Sequence, residues 1–413
     1  MEKEFERPRQ GGILKLLIAN PGSSSRRYAL VQDGASLASA HLERKGETYF
    51  ASMGLPGGAQ AVAIPVPIPI SEATFMAGPD WFVESLLRSG VLQAASEITG
   101  VALRIVAPGT FFQKHARIDD AYLKELEDAA HLAPLHAGPA LKEAEHLQRL
   151  FPMAILFGVS DSAFHATLTP AAREYALPYE DAQRWDIHRF GYHGISAQSV
   201  LRKLKERGPL PGRIVICHLG SGASVMAIKD GLSVDASMGF TPLEGLVMGT
   251  RVGDLDAAAV FHLSRKSGMT PSEAESYLNT RCGLLGLSGS SADMRALLES
   301  ESNGDARAGL AIEAFVYRVR KCIGAYVVVL GGIDQLVFTA AIGERSPVIR
   351  ARLCAGLKWM GVDLDPELNA AFTSRNGSIQ TQDSRVDITV VMTDEMSEMA
   401  EVFGHSIVCP TVR

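Results

Sequence analysis

The chain alternates short apolar runs with polar residues, and one such pattern occurs twice, about two hundred residues apart. The first copy reads "LLIANPGSSSRRYALVQDG" from Leu16, and the second reads "IVICHLGSGASVMAIKDG" from Ile214. Two apolar runs joined by a short Gly/Ser loop predict a β-hairpin, and the closing Asp-Gly predicts a tight turn into a third strand. The repeat favours two domains of one fold, although hairpins with Gly/Ser loops are common enough to match by chance.

The rest of the chain predicts alternating strands and helices. "MAILFGVSD" ends at Asp161, "LVFTAAIGERS" runs into a predicted helix start at Gly343, and "VDITVVMTDEMSEMAEVF" passes from strand to helix with Thr393 as a candidate cap. Helical periodicity is present in "AYLKELEDAAHL" and "ARAGLAIEAFVYRVRKCIGAYVVVL". Polar residues follow several buried strands, and open α/β folds place their ligand sites at such strand ends. We therefore predict α/β domains with a site at the strand ends.

Length and composition are typical of an enzyme with two or three domains, since the chain has 413 residues, 46% hydrophobic and 21% charged. A formal net charge of −6 argues against a nucleic-acid binder or a polybasic membrane-surface protein. No apolar run is long enough to span a bilayer, and the charged start "MEKEFERPRQGG" lacks the apolar segment of a secretory signal. Five scattered cysteines without CxxC spacing favour reduced thiols over disulfides or a zinc site. We expect a cytoplasmic protein.

The Gly/Ser loops between the strands are candidate phosphate sites. Such a loop offers main-chain N–H groups and hydroxyls in a small concavity, and Arg26 or Arg27 would add positive charge to the first one. The chain has no GxxxxGK[ST] motif, and "GSGASV" lacks the third glycine of a dinucleotide fingerprint. By itself a loop of this kind is more often an exposed turn.

Charged residues at particular positions strengthen the case for a site. Asp161 and Glu395 each follow an apolar run and could contribute to a Mg²⁺ site. Arg104 lies in an apolar strand, where its charge must meet either a structural carboxylate or an anionic ligand. Arg251 is flanked by glycines and faces a cleft or pairs with a neighbouring aspartate. His193 lies among small residues, and the alternative for it is a buried structural ring.

Nine stretches resemble the acetate kinase family, in the family's order and over nearly the whole chain after the first dozen residues. They are "NPGSSSRRYAL", "APLH", "SDSAFHATL", "YALPYE", "HRFGYHGIS", "CHLGSGASVMAIKDGLSVDASMGFTPLEGLVMGTRVGDLD", "GLLGLSGSSADMRAL", "FTAAIGERSPVIRARLCAGL" and "MTDEMSEMA". The resemblance implies an α/β fold of two ribonuclease-H-like (actin-like ATPase) domains with an interdomain nucleotide cleft, assembled as a homodimer. It implies an N-terminal domain of residues 1–162 plus a returning helix at 396–413. Residues 163–395 would form a C-terminal domain with the nucleotide site and dimer interface.

The resemblance also implies the reaction and the residues that perform it. The reaction is reversible in-line phosphoryl transfer between ATP and acetate, giving acetyl phosphate and ADP, with Mg²⁺ or Mn²⁺ as cofactor. The catalytic residues would be Asp161, Arg104, His193 and Arg251, and the substrate site would be Arg104, Val106, Leu135, Tyr192 and Pro242. The nucleotide and phosphate site would be Asn20, Ser23, Ser25, Arg27, His218, Gly220, Ser221, Gly222, Asp293, Met294, Arg295, Ala341, Ile342, Gly343 and Arg345. The metal ligands would be Asn20, Asp161 and Glu395, and His136 matches a histidine of the active-site region.

Several positions depart from the family pattern. Ser221 replaces an Asn in the second loop, and "APG" follows the arginine strand where His-Gly-Gly is usual. The turn "GGIGEN" becomes "AAIGER", so that Ala341 adds a methyl group where adenine approaches and Arg345 replaces a small amide. Tyr192 stands where Phe is usual and would add a hydroxyl to the rim of the acyl pocket. The resemblance therefore implies an intact phosphoryl site and an altered nucleoside end.

Three alternatives follow from these departures. The enzyme could be a short-chain acyl kinase acting on propionate, or a kinase with another phosphoryl donor, such as a different nucleoside triphosphate or pyrophosphate. It could also be a non-catalytic nucleotide-binding relative, although such a protein would be expected to lose the charged residues that are present here. One methylene is worth only about 1–3 kcal/mol of discrimination, so these side chains do not decide between acetate and propionate.

Overall fold

Both predicted hairpins are present in the computed structural model, which describes residues 15–22, 25–55, 67–135 and 137–408. Strand β1 (Lys15–Pro21) pairs antiparallel with β2 (Ser25–Gln32), and a turn at Asp33 and Gly34 leads into β3 (Ala35–Lys45). Both turn residues have positive φ, 51° and 79°, as a tight two-residue hairpin turn requires. The other strands of this sheet are β4 (Thr48–Gly54), β5 (Ile68–Ile70), β6 (Ile98–Ile105), β7 (Ala116–Arg117) and β8 (Ile155–Ser160).

In the described part of the chain, four helices come between strands of the first sheet, whose strand order is β5-β4-β3-β2-β1-β6-β8-β7. They are α1 (Glu72–Met76), α2 (Gly78–Arg88), α3 (Asp120–Leu132) and α4 (Ala137–Leu150). The start of α3 is capped by Asp119, whose carboxylate accepts a hydrogen bond from the N–H of Tyr122 at 2.8 Å. Strand β6 runs parallel to β1, so the loop after β1 and the end of β6 lie at the same edge of the sheet.

The second sheet repeats the arrangement of the first. Its strands are β9 (Arg213–Leu219), β10 (Ala223–Lys229), β11 (Leu232–Ala236), β12 (Gln335–Thr339), β13 (Gly377–Ser378) and β14 (Asp387–Val390). Their order is β11-β10-β9-β12-β14-β13, with an antiparallel meander followed by a strand, β12, that runs parallel to β9. Asp230 and Gly231 turn the chain into β11 with φ of 50° and 83°. The order β3-β2-β1-β6 in the first sheet corresponds to β11-β10-β9-β12 here.

In the chain, the helices of the second part come before these strands and between them. They are α5 (Pro170–Arg173), α6 (Tyr179–Arg184), α7 (Gly194–Lys205), α8 (Ala257–Ser267), α9 (Pro271–Thr280), α10 (Gly283–Ser288), α11 (Met294–Ser302), α12 (Ala306–Leu330), α13 (Ala340–Arg345), α14 (Pro347–Ala355) and α15 (Pro366–Ala371). Helix α12 is the longest and buries Ala311, Phe315, Val319 and Ile323, which recur every four residues on one face. These side chains join the apolar core that includes Val215 of β9.

The final helix, α16 (Glu395–Val408), follows the strand β14, as the sequence predicts. Two details of the predicted helix starts are wrong. The Thr393 hydroxyl has no hydrogen-bond partner among the described residues, so it does not cap α16. Helix α13 begins at Ala340 rather than at Gly343, directly after the last residue of β12.

The chain divides into two compact units. The first takes in the residues up to Ile105, His115–Val159 and the segment from Met396, and the second takes in Val106–Lys114 and Ser160–Glu395. Compared with the expected boundary at residue 162, residues 106–114 and 160–162 group with the second unit. In the part of the chain that the structure describes, no helix is both long and apolar enough to cross a membrane.

Candidate active site

The hairpin β9–β10 of the second unit carries a loop formed by Gly220, Ser221 and Gly222, which we call the second loop. The N–H of Gly220 donates to the carbonyl of Gly222 at 3.0 Å and closes the loop. Ser221 is exposed. Main-chain N–H groups in such a small-residue loop form a concavity suited to phosphate oxygens.

Two histidines stack beside the second loop. The rings of His193 and His218 lie 4.0 Å apart between centroids and within 20° of parallel. His218 is the last but one residue of β9, and His193 directly precedes α7. The sequence predicts a role for each residue but gives no sign that the two rings touch.

The end of β8 is joined to the start of α7 through Asp161. Its carboxylate oxygen Oδ2 accepts a hydrogen bond from the N–H of His193 at 2.8 Å, and its carbonyl accepts one from Gly194 at 2.9 Å. Asp161 is only 1% exposed. The negative charge lies at the N-terminus of a helix, where the helix dipole favours it.

Arg251 is held by a loop that closes on itself. The main-chain groups of Gly245 and Asp254 hydrogen-bond at 2.9 Å, and the Asp254 carboxylate also accepts the N–H of Gly245 at 2.9 Å. Gly253 has φ of 73°, and a Cβ there would collide with the carbonyl of Leu246. The glycines around Arg251 therefore shape a tight loop.

Arg251 and His193 reach the second loop at the same point. A Cβ built on Gly222 would lie 3.3 Å from His193 Nε2 and 3.5 Å from Arg251 Nη1. Arg251 Nη1 also donates to the carbonyl of Pro242 at 3.1 Å. The absence of a side chain at Gly222 thus leaves the room in which an imidazole and a guanidinium meet the loop.

The predicted adenosine residues adjoin the other side of the second loop. The N–H of Gly249 donates to the Ser221 carbonyl at 2.9 Å, and a Cβ at Gly249 would lie 3.4 Å from the carbonyl of Ala292. The next residue, Asp293, caps α11 and pairs with Arg295 at 2.6 Å. Met294 is buried.

The turn "AAIGER" also borders the second loop. A Cβ at Gly220 would lie 3.6 Å from the Cβ of Ala340, and Ala341 and Arg345 are exposed. Gly343 packs near the end of β9, where its Cβ position is 3.6 Å from the Cys217 carbonyl. Ile342 is partly buried against the apolar core.

Asn20 and Arg104 come together in the first unit. Arg104 Nη1 of β6 donates to Asn20 Oδ1 of β1 at 3.2 Å, across the parallel strands. Arg27 lies opposite Asn20 in the β1–β2 register and is exposed. The Ser25 hydroxyl is 2.8 Å from His41 Nε2, a contact that the sequence does not predict.

Arg26, next to Arg27, has a structural environment. It is 5% exposed, donates to Glu143 Oε2 of α4 at 2.9 Å, and lies over the ring of Phe75. Tyr28 donates to the other oxygen of Glu143 at 2.7 Å. Burial is the largest influence on the Glu143 carboxyl and raises its pKa. Arg26 therefore anchors β2 to a helix.

Three predicted acyl-pocket residues belong to the second unit and one to the first. Tyr192 is in the apolar core, Val106 packs against that core, and Pro242 is buried. Leu135 lies in the first unit and is 37% exposed. The expectation that the Tyr192 hydroxyl adds to a pocket rim is wrong, because this buried group donates to the Phe240 carbonyl at 2.7 Å.

His165 holds the main chain next to this region. Its Nδ1 is 2.8 Å from the Ser233 hydroxyl and its Nε2 is 3.0 Å from the Tyr192 carbonyl. Burial lowers the pKa of His165 to about 4. These contacts give His165 a structural role.

The predicted metal ligands fit the requirements of Mg²⁺ to different degrees. Among the described residues, no group of three or more His, Cys, Asp or Glu side chains is arranged to hold a metal ion. Mg²⁺ needs only one or two carboxylates besides phosphate oxygens and water, and the buried Asp161 carboxylate fits this requirement. Asn20 fits less directly, because its oxygen already accepts from the Arg104 guanidinium.

Helix α7 is hydrogen-bonded both to Asp161 and to the main chain next to Glu395. The N–H of the preceding residue, Asp394, donates to the Ser199 hydroxyl of α7 at 2.9 Å, and Asp161 holds the start of the same helix. Ser199 is five positions after Gly194, which is about 7.5 Å along a helix axis. Asp161 and the residue before Glu395 are thus hydrogen-bonded to one short helix and the residue that precedes it. Ser23 and His136 lie outside the described residues.

A cavity of about 250 Å³ also opens in the second unit, beside the loop that carries Arg251. None of the described site residues lines it. Two of its lining residues, Arg189 and Glu244, pair with each other at 2.6 Å, and Arg189 also donates to the Ala236 carbonyl at 3.0 Å. We assign this charged pair a structural role.

Comparison with known proteins places the chain in a family. Residues 15–401 match the acetokinase family. The acetate kinase of Dictyoglomus turgidum is 38% identical over 404 residues, which are 96% of this chain and 99% of that protein. The crystal structure of Porphyromonas gingivalis acetate kinase superposes with a TM-score of 0.83 at 32% identity, covering 96% of this chain and all of that one. A propionate kinase from Francisella tularensis superposes with a TM-score of 0.84 at 30% identity, covering 94% of this chain and 98% of that one.

These similarities extend over both sheets. The mixed α/β fold is that of the acetate kinase structures, which have two actin-like ATPase domains. The chain therefore belongs to the acetokinase family and is a kinase.

Proposed function

We propose that this protein is an acetate kinase that transfers a phosphoryl group reversibly between ATP and acetate, giving ADP and acetyl phosphate. The observation that carries the proposal is the meeting of His193, Arg251 and the second loop at Gly222, with Asp161 bound to the His193 main chain. The named relatives over nearly the full chain support acetate as the acceptor.

The proposed step is a direct in-line transfer. A carboxylate oxygen of acetate attacks the γ-phosphorus of ATP, a new O–P bond forms, and the bond from that phosphorus to the β-bridging oxygen breaks. ADP leaves with the electron pair. Acetate is already ionised at neutral pH, since carboxyl groups of its type titrate near pH 4–5, so the step needs no general base.

The protein must instead reduce repulsion between two anions and stabilise charge on the equatorial oxygens. We assign this task to Arg251 and His193 in the second unit and to Arg104 in the first. The second loop, with His218, would bind the donor's phosphates. Val106, Leu135, Tyr192 and Pro242 would contact the methyl group of the acid.

Mutation of the arginines tests these roles. Arg251→Ala and Arg104→Ala should lower turnover by a factor of about 10²–10³ or more, as loss of a charge-stabilising donor does. Arg202→Ala is the matched control, because Arg202 of α7 pairs at the surface with Glu206, the residue directly after the helix. Acyl phosphate is trapped as its hydroxamate, and circular dichroism checks folding. Near-normal turnover in both site variants would remove them from the reaction centre.

A divalent metal supplies charge neutralisation between the donor phosphates when it is bound, and members of this family are phosphotransferases that need one. We propose Mg²⁺ or Mn²⁺, with Asp161 and Glu395 as its protein-side acids and Asn20 as a further ligand. Chelation should abolish acyl phosphate formation, and added Mg²⁺ should restore it. Asp161→Asn should raise the Mg²⁺ concentration needed for half-maximal rate, whereas Asp383→Asn, at an exposed position, should not.

Propionate is the second candidate acceptor, because a propionate kinase superposes as well as an acetate kinase does. The ratio of kcat/KM for acetate and propionate decides between them. A ratio above one supports the proposal, and a ratio below one favours propionate kinase.

The donor is tested separately, since Ala341 and Arg345 alter the predicted adenosine turn. Rates with ATP, GTP and pyrophosphate at equal Mg²⁺ identify the donor. Activity with pyrophosphate alone would contradict ATP as the donor. Nucleotide binding without acyl phosphate formation from any donor would identify a non-catalytic relative.

We propose that the protein is a homodimer formed through the second unit. Helix α8 has no buried residue and exposes 61% of Phe261, while α12 exposes 66% of Tyr317 and 81% of Val328. Exposed large apolar side chains of this kind are typical of subunit interfaces. Light scattering should give twice the chain mass. Phe261→Glu should shift it toward the monomer, and Trp359→Glu, at another exposed aromatic, should not.

We also place the protein in the cytoplasm. Four cysteines in the described residues are free thiols, two of them buried. Reduced thiols persist in that compartment. Fractionation of the native host checks this.

A further inference from the structure

Each ring of the stacked histidine pair is held by a serine hydroxyl that the sequence motifs do not single out. Ser224 Oγ lies 2.9 Å from His193 Nδ1, and Ser196 Oγ lies 2.8 Å from His218 Nδ1. Both serines are fully buried, so solvent water does not reach their hydroxyl groups to compete for these hydrogen bonds. Each ring therefore has a fixed partner on its Nδ1 side.

The Nε2 side of both rings faces the second loop. Cβ positions on Gly222 and Gly220 lie 3.3 Å from His193 Nε2 and 4.0 Å from His218 Nε2. With Nδ1 engaged by a hydroxyl, Nε2 is the ring nitrogen that can meet a phosphate oxygen in the loop. The serines stand behind the rings as seen from the loop.

The two hydrogen bonds connect α7 and the β9–β10 hairpin in opposite senses, since each element provides one serine and the other element provides the histidine that it holds. Ser196 belongs to α7 and holds His218 of β9, whereas Ser224 of β10 holds His193 at the start of α7. Ser224 and His218 are also opposite one another in the antiparallel register. Each bond joins α7 to the hairpin, and the ring stacking connects the two bonds.

We propose that Ser196 and Ser224 are positioning residues for the phosphoryl donor site. Each hydroxyl donates to an Nδ1 atom, which leaves a hydrogen on Nε2 and presents two Nε2–H donors to phosphoryl oxygens bound at the second loop. The ligand class is a polyphosphate donor or the acyl phosphate formed from it. This inference rests on the proposed kinase function, which supplies the phosphoryl group.

Alanine and threonine variants at Ser224 and Ser196 provide the first test. Ser224→Ala should lower kcat about 10- to 100-fold, with KM for donor and acid within about twofold, because a catalytic hydrogen-bond donor loses its orientation. Ser224→Thr keeps the hydroxyl and should recover most of the rate. Ser233→Ala removes the equivalent hydrogen bond from the buried His165 and serves as control, with lower thermal stability and unchanged kcat.

A double-mutant cycle separates positioning from general stability. In a His193→Ala background, Ser224→Ala should change kcat by less than about twofold, because the ring that it positions is gone. The same holds for Ser196→Ala in a His218→Ala background. An equal loss of kcat in both backgrounds would overturn the inference, and so would wild-type kcat in Ser224→Ala and Ser196→Ala.

A spectroscopic measurement keeps this test independent of the proposed function. Nitrogen NMR of protein labelled in its histidine rings should show the Nε2–H form for His193 and His218, and its loss in the matching serine variant. A different ring form in the wild type would contradict the positioning role. If the wild type forms no acyl phosphate, the proposed function fails, and the ring nitrogen signals alone then decide whether the serines set the hydrogen position.

Discussion

Two residues other than glycine hold left-handed backbone beside the second loop. His193 and Ala340 both have φ of 63°, a conformation that costs a residue with a Cβ about 1–2 kcal/mol. His193 uses this geometry to bind Asp161 through its N–H and Ser224 through its ring. Such strain collects at functional positions, where surrounding contacts fix it. Ala340 has no polar side-chain group to use, and the family pattern has glycine in its place.

Ala340→Gly should therefore raise the free energy of unfolding. Relief of left-handed strain outweighs the greater entropy of glycine in the unfolded chain, and the expected net gain is about 0.5–1 kcal/mol. Urea unfolding followed by circular dichroism measures it. Ala341→Gly is the matched control, because Ala341 lies in the first turn of α13 without positive φ. That variant should be destabilised by up to about 1 kcal/mol, and a gain in both variants would contradict the strain argument.

At this scale, the sequence predicts which residue types matter better than which contacts they make. The pair Arg26 and Arg27 illustrates this, because neighbouring residues of a strand point to opposite faces. Arg26 turns inward to a carboxylate on a helix 117 residues away in sequence, and Arg27 turns outward. Tyr192 illustrates it too, since its hydroxyl is used by a main-chain carbonyl. Long-range partners of this kind leave no local pattern.

Elements with a strong local signal were predicted well. Both Asp-Gly turns and both hairpins are confirmed. Their sequence signal is local, since it consists of turn residues that adopt positive φ and of the apolar runs on either side. The helix starts were predicted less well. Helix α13 begins directly at the end of β12, since the Glu344 carboxylate accepts the N–H of Ala340 at 2.9 Å and also that of Thr393 at 3.0 Å. A side chain from within the helix thus replaces the expected cap.

The joint between β2 and α4, formed by Arg26, Tyr28 and Glu143, should contribute strongly to stability. Glu143 is 3% exposed and accepts hydrogen bonds from both Arg26 and Tyr28. Glu143→Ala should lower the free energy of unfolding by about 3–5 kcal/mol, because it leaves a buried guanidinium without its partner. Glu143→Gln keeps one acceptor and should cost less.

Chemical denaturation of the purified variants measures this joint. Glu145→Ala, at an exposed position of the same helix, should change the stability by less than about 0.5 kcal/mol. If Glu143→Ala were no more destabilising than Glu145→Ala, the joint would contribute nothing to stability.

On the scale of the whole molecule, the predicted duplication is confirmed by topology. Both sheets contain a three-stranded meander followed by a strand parallel to the first strand of the hairpin. The sequence repeat covers only the hairpins, because the fold needs an apolar and polar pattern elsewhere but no fixed residues. The segment 106–114 shows that the order of residues along the chain does not by itself predict the domain boundary. It follows β6 in the chain yet groups with the second unit, partly through Thr110, which donates to Asp186 at 2.6 Å.

Among the described residues, burial disfavours the charged form of His41 and His115 in the first unit and of His165 in the second unit. Burial lowers the pKa of His115 in the first unit and of His165 in the second unit to about 4, from an ordinary value of 6.5. In the unfolded chain both would titrate near 6.5. The stability that depends on these neutral rings is therefore complete above pH 6.5 and is lost as the pH falls from 6.5 towards 4.

The whole protein should become less stable between pH 7 and pH 5, before most carboxylates titrate. Proton linkage lowers the free energy of unfolding by about 2 kcal/mol for each of the two histidines over this interval, because the unfolded chain binds protons that the folded chain excludes. Urea unfolding at the two pH values measures the loss. His165→Gln, whose amide takes up no proton, should reduce the pH dependence by about 2 kcal/mol, even if it lowers stability at pH 7. His131→Gln, on the exposed face of α3, should leave it unchanged. An unaltered pH dependence in His165→Gln would show that this ring takes up protons equally in the folded and unfolded chains.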